Sequence, residues 1–419
     1  MIDDVKDKMS QSGSEQAAAS RPGRLRLAYV SPLPPTHSGI ADYSWQLLPY
    51  LDCLAEITVF CDQRQVAEPG PEVSFTIRPL ADFPAIQQEF DLALYHMGNN
   101  VLHESLYRLA LRCPGVVVLH DHGLGHFIAS TLGTAGRFDE YVRELGYAQG
   151  MEGVDLAWRV RYGARAYPLH ELPLNDRLLD RSLAVIVHSQ TTAGLVRRSR
   201  PEIMVGVVAQ PMPVSTAVPD RAGLSLPEEA LIFASVGQVT AAKRLDLALA
   251  AFNSLRADFP ETKYLIVGEA ANEVDLEALT RQFGAAGAVR LTGYAPSLGE
   301  FESWTAAADV VVSLRQPTIG ETSAAALRAL AVGRPLIVFD HGWYSELPDE
   351  VCLKVRPGDE QGLLNAMRRL ASHPAERLEM GRQARRYIEQ KHHPAAAAEA
   401  YVDFLRAVLT GIERDFEGR

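Results

Sequence analysis

Cysteine is scarce in this chain. Four in 419 residues (Cys53, Cys61, Cys113 and Cys352), with no CxxC pair and no zinc-like spacing, leave no basis for a disulfide framework or a structural metal site. Cys53, Cys61 and Cys352 lie in or beside apolar runs and read as reduced core residues, which fits a cytoplasmic setting. Long apolar runs are missing too: none approaches the ~18 residues of a membrane span. Positive charge is short, with 41 Lys and Arg against 52 Asp and Glu for a net −11. That balance argues against nucleic acid as the main partner, because phosphate binding wants a basic face. It also disfavours adhesion to anionic membrane and leaves peripheral docking at the inner membrane face, through a local basic patch, as an option. There is no GxGxxG, so the dinucleotide fingerprint is excluded, and no short-period repeat. Residues 1–23 have no apolar signal-peptide core and read as a disordered tail.

What is present is an ordinary globular composition, 47% hydrophobic and 22% charged, in a length that suits two domains. Continuous Val/Ile/Leu runs predict strands buried on both faces, as in parallel sheets, at Leu25–Ser31, Glu56–Cys61, Leu92–His96, Val116–His120, Ala184–His188 and Met204–Ala209. An amphipathic helix is expected from about Ile40 to Leu51. Arg137–Asp180, with several tyrosines and Arg143, Arg159, Arg161 and Arg165, reads as a helical insertion. Pro211–Pro227 is proline-rich and weakly periodic and reads as a linker. The pattern then restarts, with strands expected at Leu231–Gly237, Lys263–Gly268, Val289–Gly293, Asp309–Leu314 and Pro335–Phe339. Helices are expected between them and over Glu360–Ala371, Ala375–Gln390 and Ala395–Leu409. The expected division is residues 1–23 tail, 24–212 first α/β domain, 213–390 second α/β domain and 391–419 a last helix. Alternating strands and helices make both domains doubly wound, and ligands of such sheets bind past the carboxyl ends of the strands.

Polar groups just after the strands are therefore the candidates. In the loop Ser31–Gly39, Gly39 lets the backbone approach a ligand at a helix start, where an anion is favoured; a plain βα turn is the alternative. His120, in VVVLHDHG, ends a buried strand, where it can serve a sugar hydroxyl or phosphate, cap the sheet, or join a metal cluster with His96, His122 and His126. Gly237 ends the first strand of the second domain, and Lys243 and Arg244 precede the next helix, a placement suited to a diphosphate or to a solvated basic turn. The loop from Thr318 to Ser323 brings the carboxylate of Glu321, the Gly320 backbone and the N–H groups of Thr322 and Ser323 to a helix start. Glu321 accepts from sugar hydroxyls on one reading and stabilises the helix start on the other. Arg328, two turns further, would share its face. Glu346 can reach a ribose or base, or be a plain surface carboxylate.

These residues resemble a known group. The motifs SPLPPTHSGIADYS, VVVLHDHG, AVIVHSQTT, VGQVTAAKRLDLALAAF, LTGY, PTIGETSAAALRALAVGRPLIV and SELPD, over about Arg24 to Leu409, make the chain look like a retaining glycosyltransferase of the family 4 (group 1) type with the GT-B fold. That resemblance implies two Rossmann-like domains facing each other across a cleft, with the last helix crossing back to the first. It implies a nucleotide-diphosphate sugar donor, an acceptor hydroxyl on a glycan, lipid-linked or small-molecule substrate, and no cofactor or required metal. By position, Lys243 matches the diphosphate-holding lysine, Gly39 the first-domain glycine loop and His120 the histidine near the donor sugar. Gln238 stands where many members carry an arginine. The family's two glutamates, eight apart, become Glu321, one place off, and Arg328, so the ribose carboxylate is missing; the GETS loop resembles a subgroup with the same replacement. Two other classes remain: a nucleotide-sugar epimerase, with His120 and Glu321 as acid and base, and a non-catalytic subunit that binds a sugar nucleotide or glycan.

Overall fold

The computed structural model describes residues 23–68, 73–134, 136–271, 274–283 and 287–417, so the expected tail falls outside the described residues apart from Gly23. The chain divides into two compact units, Met1–Pro211 with Pro394–Arg419, and Met212–His393.

The first unit is built on seven parallel strands, β1 (Arg26–Val30), β2 (Glu56–Cys61), β3 (Thr76–Pro79), β4 (Leu92–Met97), β5 (Val116–Leu119), β6 (Ala184–Val187) and β7 (Met204–Val207), in the order β3-β2-β1-β4-β5-β6-β7. The central strands are buried on both faces, which is why they read as unbroken apolar runs. The order reverses between β1 and β4, with Leu27 beside Leu92. Helix α1 (Gly39–Asp52) starts where the Ser38 side chain accepts from the Ile40 N–H and buries Ala41, Tyr43, Leu47, Leu48 and Leu51. Helix α2 (Glu104–Arg112) follows β4. The expected insertion is helical only in part. Helix α3 (Phe138–Arg161) bends at Gly150, whose φ is 62°, and α4 (Asp176–Asp180) is a single turn; the chain between them forms turns and irregular backbone. Phe138, Tyr141, Leu145 and Ala157 tie α3 into the core. Helix α5 (Gln190–Ser199) leads to β7.

The second unit holds six parallel strands, β8 (Ile232–Val236), β9 (Lys263–Val267), β10 (Val289–Gly293), β11 (Val310–Ser313), β12 (Leu336–Phe339) and β13 (Cys352–Val355), in the order β10-β9-β8-β11-β12-β13. Here the order reverses between β8 and β11, where Phe233 pairs with Val310. The helices are α6 (Leu245–Leu255), α7 (Leu276–Gln282), α8 (Leu298–Ala307), α9 (Ala324–Ala331), α10 (Glu360–Ser372) and α11 (Pro374–Lys391). Edge strands β3 and β13, and helices α2 and α5, are additions to the sequence reading: short, partly exposed strands do not stand out by hydrophobic run.

The last helix, α12 (Pro394–Glu417), packs on α1 within the first unit. Ala397, Ala398, Tyr401, Val402, Leu405 and Val408 join the apolar cluster formed by α1 and the strands. Each large side chain buried this way contributes about 1.5–3 kcal/mol. Gly206 on β7 admits the Phe404 ring, which a Cβ would meet at 2.7 Å, and the hydroxyls of Tyr43 and Tyr401 lie 2.5 Å apart.

Candidate functional site

In the second unit, side chains gather at the switch point, past the carboxyl ends of β8 and β11, where ligands of open α/β sheets bind. Gly237 leaves β8 with a φ of 82°, a left-handed conformation that glycine adopts without strain. A Cβ there would stand 2.9 Å from the Lys243 amine and 3.1 Å from the Ala325 methyl in the first turn of α9. Gly237, Lys243 and the start of α9 are thus neighbours. Lys243 donates from Nζ to the Val236 carbonyl at 2.6 Å. Burial pushes its pKa down to about 7, and the nearby Arg315 guanidinium acts in the same direction. An anion here would meet Lys243, Arg315 and the positive end of α9.

The loop that feeds α9 is held by its own side chains. Ser323 caps the helix, accepting from the Ala326 N–H at 3.2 Å. Glu321 lies outside the helix and is buried; its Oε2 accepts from the Ile319 N–H at 2.8 Å and from Thr318 Oγ1 at 3.0 Å. Its Oε1 is 2.7 Å from Arg315 Nε. Gly320 takes a φ of 80° between them. Glu321 therefore organises the loop and neutralises Arg315, and the cap expected of it belongs to Ser323. Arg315 was not singled out by sequence. The signal was available: a cation directly after a buried strand, the logic already applied to Lys243.

Arg244 departs from its expected use. Its guanidinium holds Asp246 at 2.8 Å and Gln316 Oε1 at 3.1 Å, linking the turn before α6 to the loop after β11. Arg328 does not share a face with Glu321. Seven residues make two turns only if the helix is continuous, and α9 begins at Ala324. Arg328 is buried and lies 3.8 Å from Glu302 of α8. Glu346 ends the short turn Gly342–Glu346, exposed and within electrostatic reach of Tyr387. Thr322 is half-buried beside Ser323, and Gln238 is exposed.

The first unit has its own cluster at the corresponding sheet edge. His120 follows β5, and its Nε2 lies 3.1 Å from His96 Nδ1 on β4. His103 donates from Nδ1 to the His96 carbonyl at 3.1 Å, and His188 likewise to the Val208 carbonyl at 2.9 Å. Tyr43 packs edge-on against His120 at 4.7 Å and near His188 at 5.2 Å. Burial holds His96 and His120 well below the ordinary imidazole value and pushes His103 down to about 4. These are neutral imidazoles that donate and accept hydrogen bonds. Of the histidines expected beside His120, only His96 is there. His122 is buried, its carbonyl accepting from Asn175, and His126 packs against His170. His103 and His188 take their places, brought in by the folding of β4 and β6. Among the described residues, no three His, Cys, Asp or Glu are arranged to hold a metal ion. Gly39 sits in the first turn of α1, and a Cβ on it would meet nothing within 4 Å.

Residues 219–387 match the family model described as Glycosyl transferases group 1. Comparison with curated protein sequences gives no match. Among solved structures, sucrose-phosphate synthase from Thermosynechococcus elongatus shares 18% identity at a TM-score of 0.64, over 93% of this chain and 100% of that one. Anabaena HepE, solved in complex with UDP-glucose, shares 14% at 0.61, over 91% and 100%. WaaG, a glycosyltransferase involved in lipopolysaccharide biosynthesis, shares 14% at 0.57, over 89% and 98%. The fold is GT-B, and residues 219–387 of the second unit are similar to group 1 glycosyltransferases.

Proposed function

We propose that this protein is a retaining, metal-independent glycosyltransferase of the family 4 type, in the subgroup with a GETS loop. It moves a sugar from a nucleotide-diphosphate sugar to an acceptor hydroxyl in polysaccharide, glycolipid or glycoconjugate synthesis, in the cytoplasm. The observation that carries this reading is the convergence of the Lys243 amine, Gly237 and the capped start of α9 at the switch point of a sheet inside the segment that matches the family. Lys243 and the N–H groups at Thr322 and Ser323 take the diphosphate and stabilise it as it leaves, with Arg315 adding charge from behind. Glu321 keeps that loop in shape and holds Arg315. In the first unit, the neutral His120, held beside His96, can offer a hydrogen bond to a sugar hydroxyl, and Gly39 leaves open space over the first turn of α1.

A thermal-shift screen over UDP, GDP, ADP and dTDP sugars tests this. UDP sugars come first, because a protein of the same fold has been solved with UDP-glucose. A ligand at ~100 times its dissociation constant adds ~2.7 kcal/mol. No shift with any of them overturns the reading. One observation favours a second reading: the Glu321 carboxylate is already engaged by Arg315, Ile319 and Thr318. A nucleotide-sugar-binding subunit without turnover would tolerate that arrangement. Hydrolysis of the bound donor, or its transfer to any hydroxyl acceptor, excludes this alternative. Isomerised donor recovered after incubation without acceptor would point to an epimerase.

A further inference from the structure

At the opposite end of β11 and β12, before the strands rather than after them, the second unit has a cleft of about 490 Å³. Its floor is made by close backbone packing. Gly333, with a φ of 80°, turns the chain from α9 into β12 and meets Gly381 of α11, where a Cβ would come within 2.5 Å of the Gly333 carbonyl. That contact sets Arg334 beside the face of α11 that carries Arg377 and Arg385, one helical repeat on either side of Gly381. Arg382 lies on the rim.

The charges here do not balance. Asp309 is the carboxylate of the cleft lining, and its Oδ2 is taken by Arg221 Nη2 at 2.8 Å and by the Ile232 N–H at 2.7 Å. Arg382 pairs with Glu379 at 2.9 Å. Among the described residues, no carboxylate pairs with Arg334, Arg377 or Arg385. Arg385 donates to the Ser215 carbonyl at 3.0 Å and Arg377 to the Ala371 carbonyl at 3.1 Å, both neutral acceptors. Arg334 Nε is buried with no hydrogen-bond partner. Burial lowers the pKa of Arg334 and of Arg377; Arg221 acts in the same direction on both and Arg385 on Arg334, against the opposing pull of Asp309. Arg334 and Arg377 are half-buried and Arg385 is exposed, and withdrawing a cation even partly from water without a counter-charge costs stability. A chain with net charge −11 has carboxylates in excess, yet among the described residues three guanidinium groups of this cleft have no carboxylate paired to them.

We infer that this cleft is a second anion site, distinct from the candidate donor site and built for a small phosphorylated metabolite. Guanidinium forks match phosphate geometry. The apolar rim of Val218, Pro219, Pro374 and Leu378 suits the carbon skeleton attached to it. The concave shape and volume fall in the range of small-molecule sites and favour a soluble ligand over a membrane headgroup. The inference is independent of the transferase reading, because it uses none of the residues at Gly237, Lys243 or α9.

Calorimetric titration of the full chain with inorganic pyrophosphate at low salt tests it, comparing the native protein, Lys243→Met and the double variant Arg334→Gln/Arg385→Gln. A binding event should persist in Lys243→Met and weaken at least ~10-fold in the arginine variant, the scale of losing a charge-assisted contact. The arginine variant should also melt at or above the native temperature in phosphate-free buffer, because it removes two cations without a counter-charge, the half-buried Arg334 among them. If it fails to fold, the single variant at the exposed position, Arg385→Gln, takes its place in the titration. Unchanged pyrophosphate affinity in a folded arginine variant overturns the site, as does complete loss of binding in Lys243→Met. Arginine-dependent sedimentation with phosphatidylglycerol vesicles, together with no pyrophosphate binding, overturns the soluble ligand in favour of a headgroup.

Discussion

A nucleotide sugar should bind this protein more weakly as the pH rises through 7, because Lys243 must be charged to hold a diphosphate and its pKa is pushed down to about 7. At pH 6 such an amine is about 90% protonated; at pH 8.5 it is about 3% protonated. If only the charged form binds, the apparent dissociation constant rises by the ratio of these fractions, about 30-fold or ~2 kcal/mol. A UDP sugar suits the measurement, since its diphosphate is a diester and keeps its charge across this window. The first-unit histidines do not interfere: burial holds His96 and His120 well below the ordinary imidazole value and His103 near 4, so they stay neutral throughout. Calorimetry at pH 6.0, 7.0, 7.8 and 8.5 should trace one descending step centred near 7. Lys243→Arg, charged at every one of these values, should bind with a flat profile. Lys243→Met should bind at least ~10-fold more weakly at pH 6 and also show no step. A flat profile in the native protein, or a step that survives in Lys243→Met, refutes the assignment of Lys243 to the phosphates.

Gly237→Ala should cost ~1–2 kcal/mol, from its left-handed φ and from displacing the Lys243 amine 2.9 Å from the new methyl; a lowered melting temperature together with weaker donor binding is the expected pair. Glu321→Gln should loosen the loop more than it removes a substrate contact, since the carboxylate bonds Thr318, Ile319 and Arg315; proteolysis between residues 315 and 323 should speed up, and an unchanged digestion pattern with lost turnover would restore a direct role. Acid should destabilise the first unit. His103 has its folded-state pKa lowered from 6.5 to about 4, so the unfolded chain takes up its proton first and stability falls as pH drops below 6.5. His103 alone loses about 2 kcal/mol by pH 5, and His96 and His120 act in the same direction. Urea midpoints at pH 7.5 and 5.0 check this, and equal midpoints refute it.

The central strands and most helices are legible in the sequence because each rests on a local pattern. VVVL at β5, IFASV at β8 and VVVS at β11 are short apolar runs bounded by turn signals, and the α/β alternation follows from them. The Lys243 position, the glycine after β8 and the helix start near Ser323 are legible for the same reason, since strand ends in such sheets are where ligands bind. Partnership is not legible. Whether Glu321 faces a sugar or Arg315 depends on where β11 ends and how the loop folds back, and Arg328 turns to Glu302 because α9 begins three residues after Glu321. His103 and His188, far apart along the chain, meet His120 only because β4, β5 and β6 lie side by side. The arginines of α11 look like a solvated helix face until Gly333 packs on Gly381 and brings Arg334 among them. The sequence by itself therefore determined the elements, their order and the strand ends that hold polar groups, all of which depend on residues near in the chain. The tertiary structure decided which charges pair and which are left without a counter-charge, because pairing is set by distance in space.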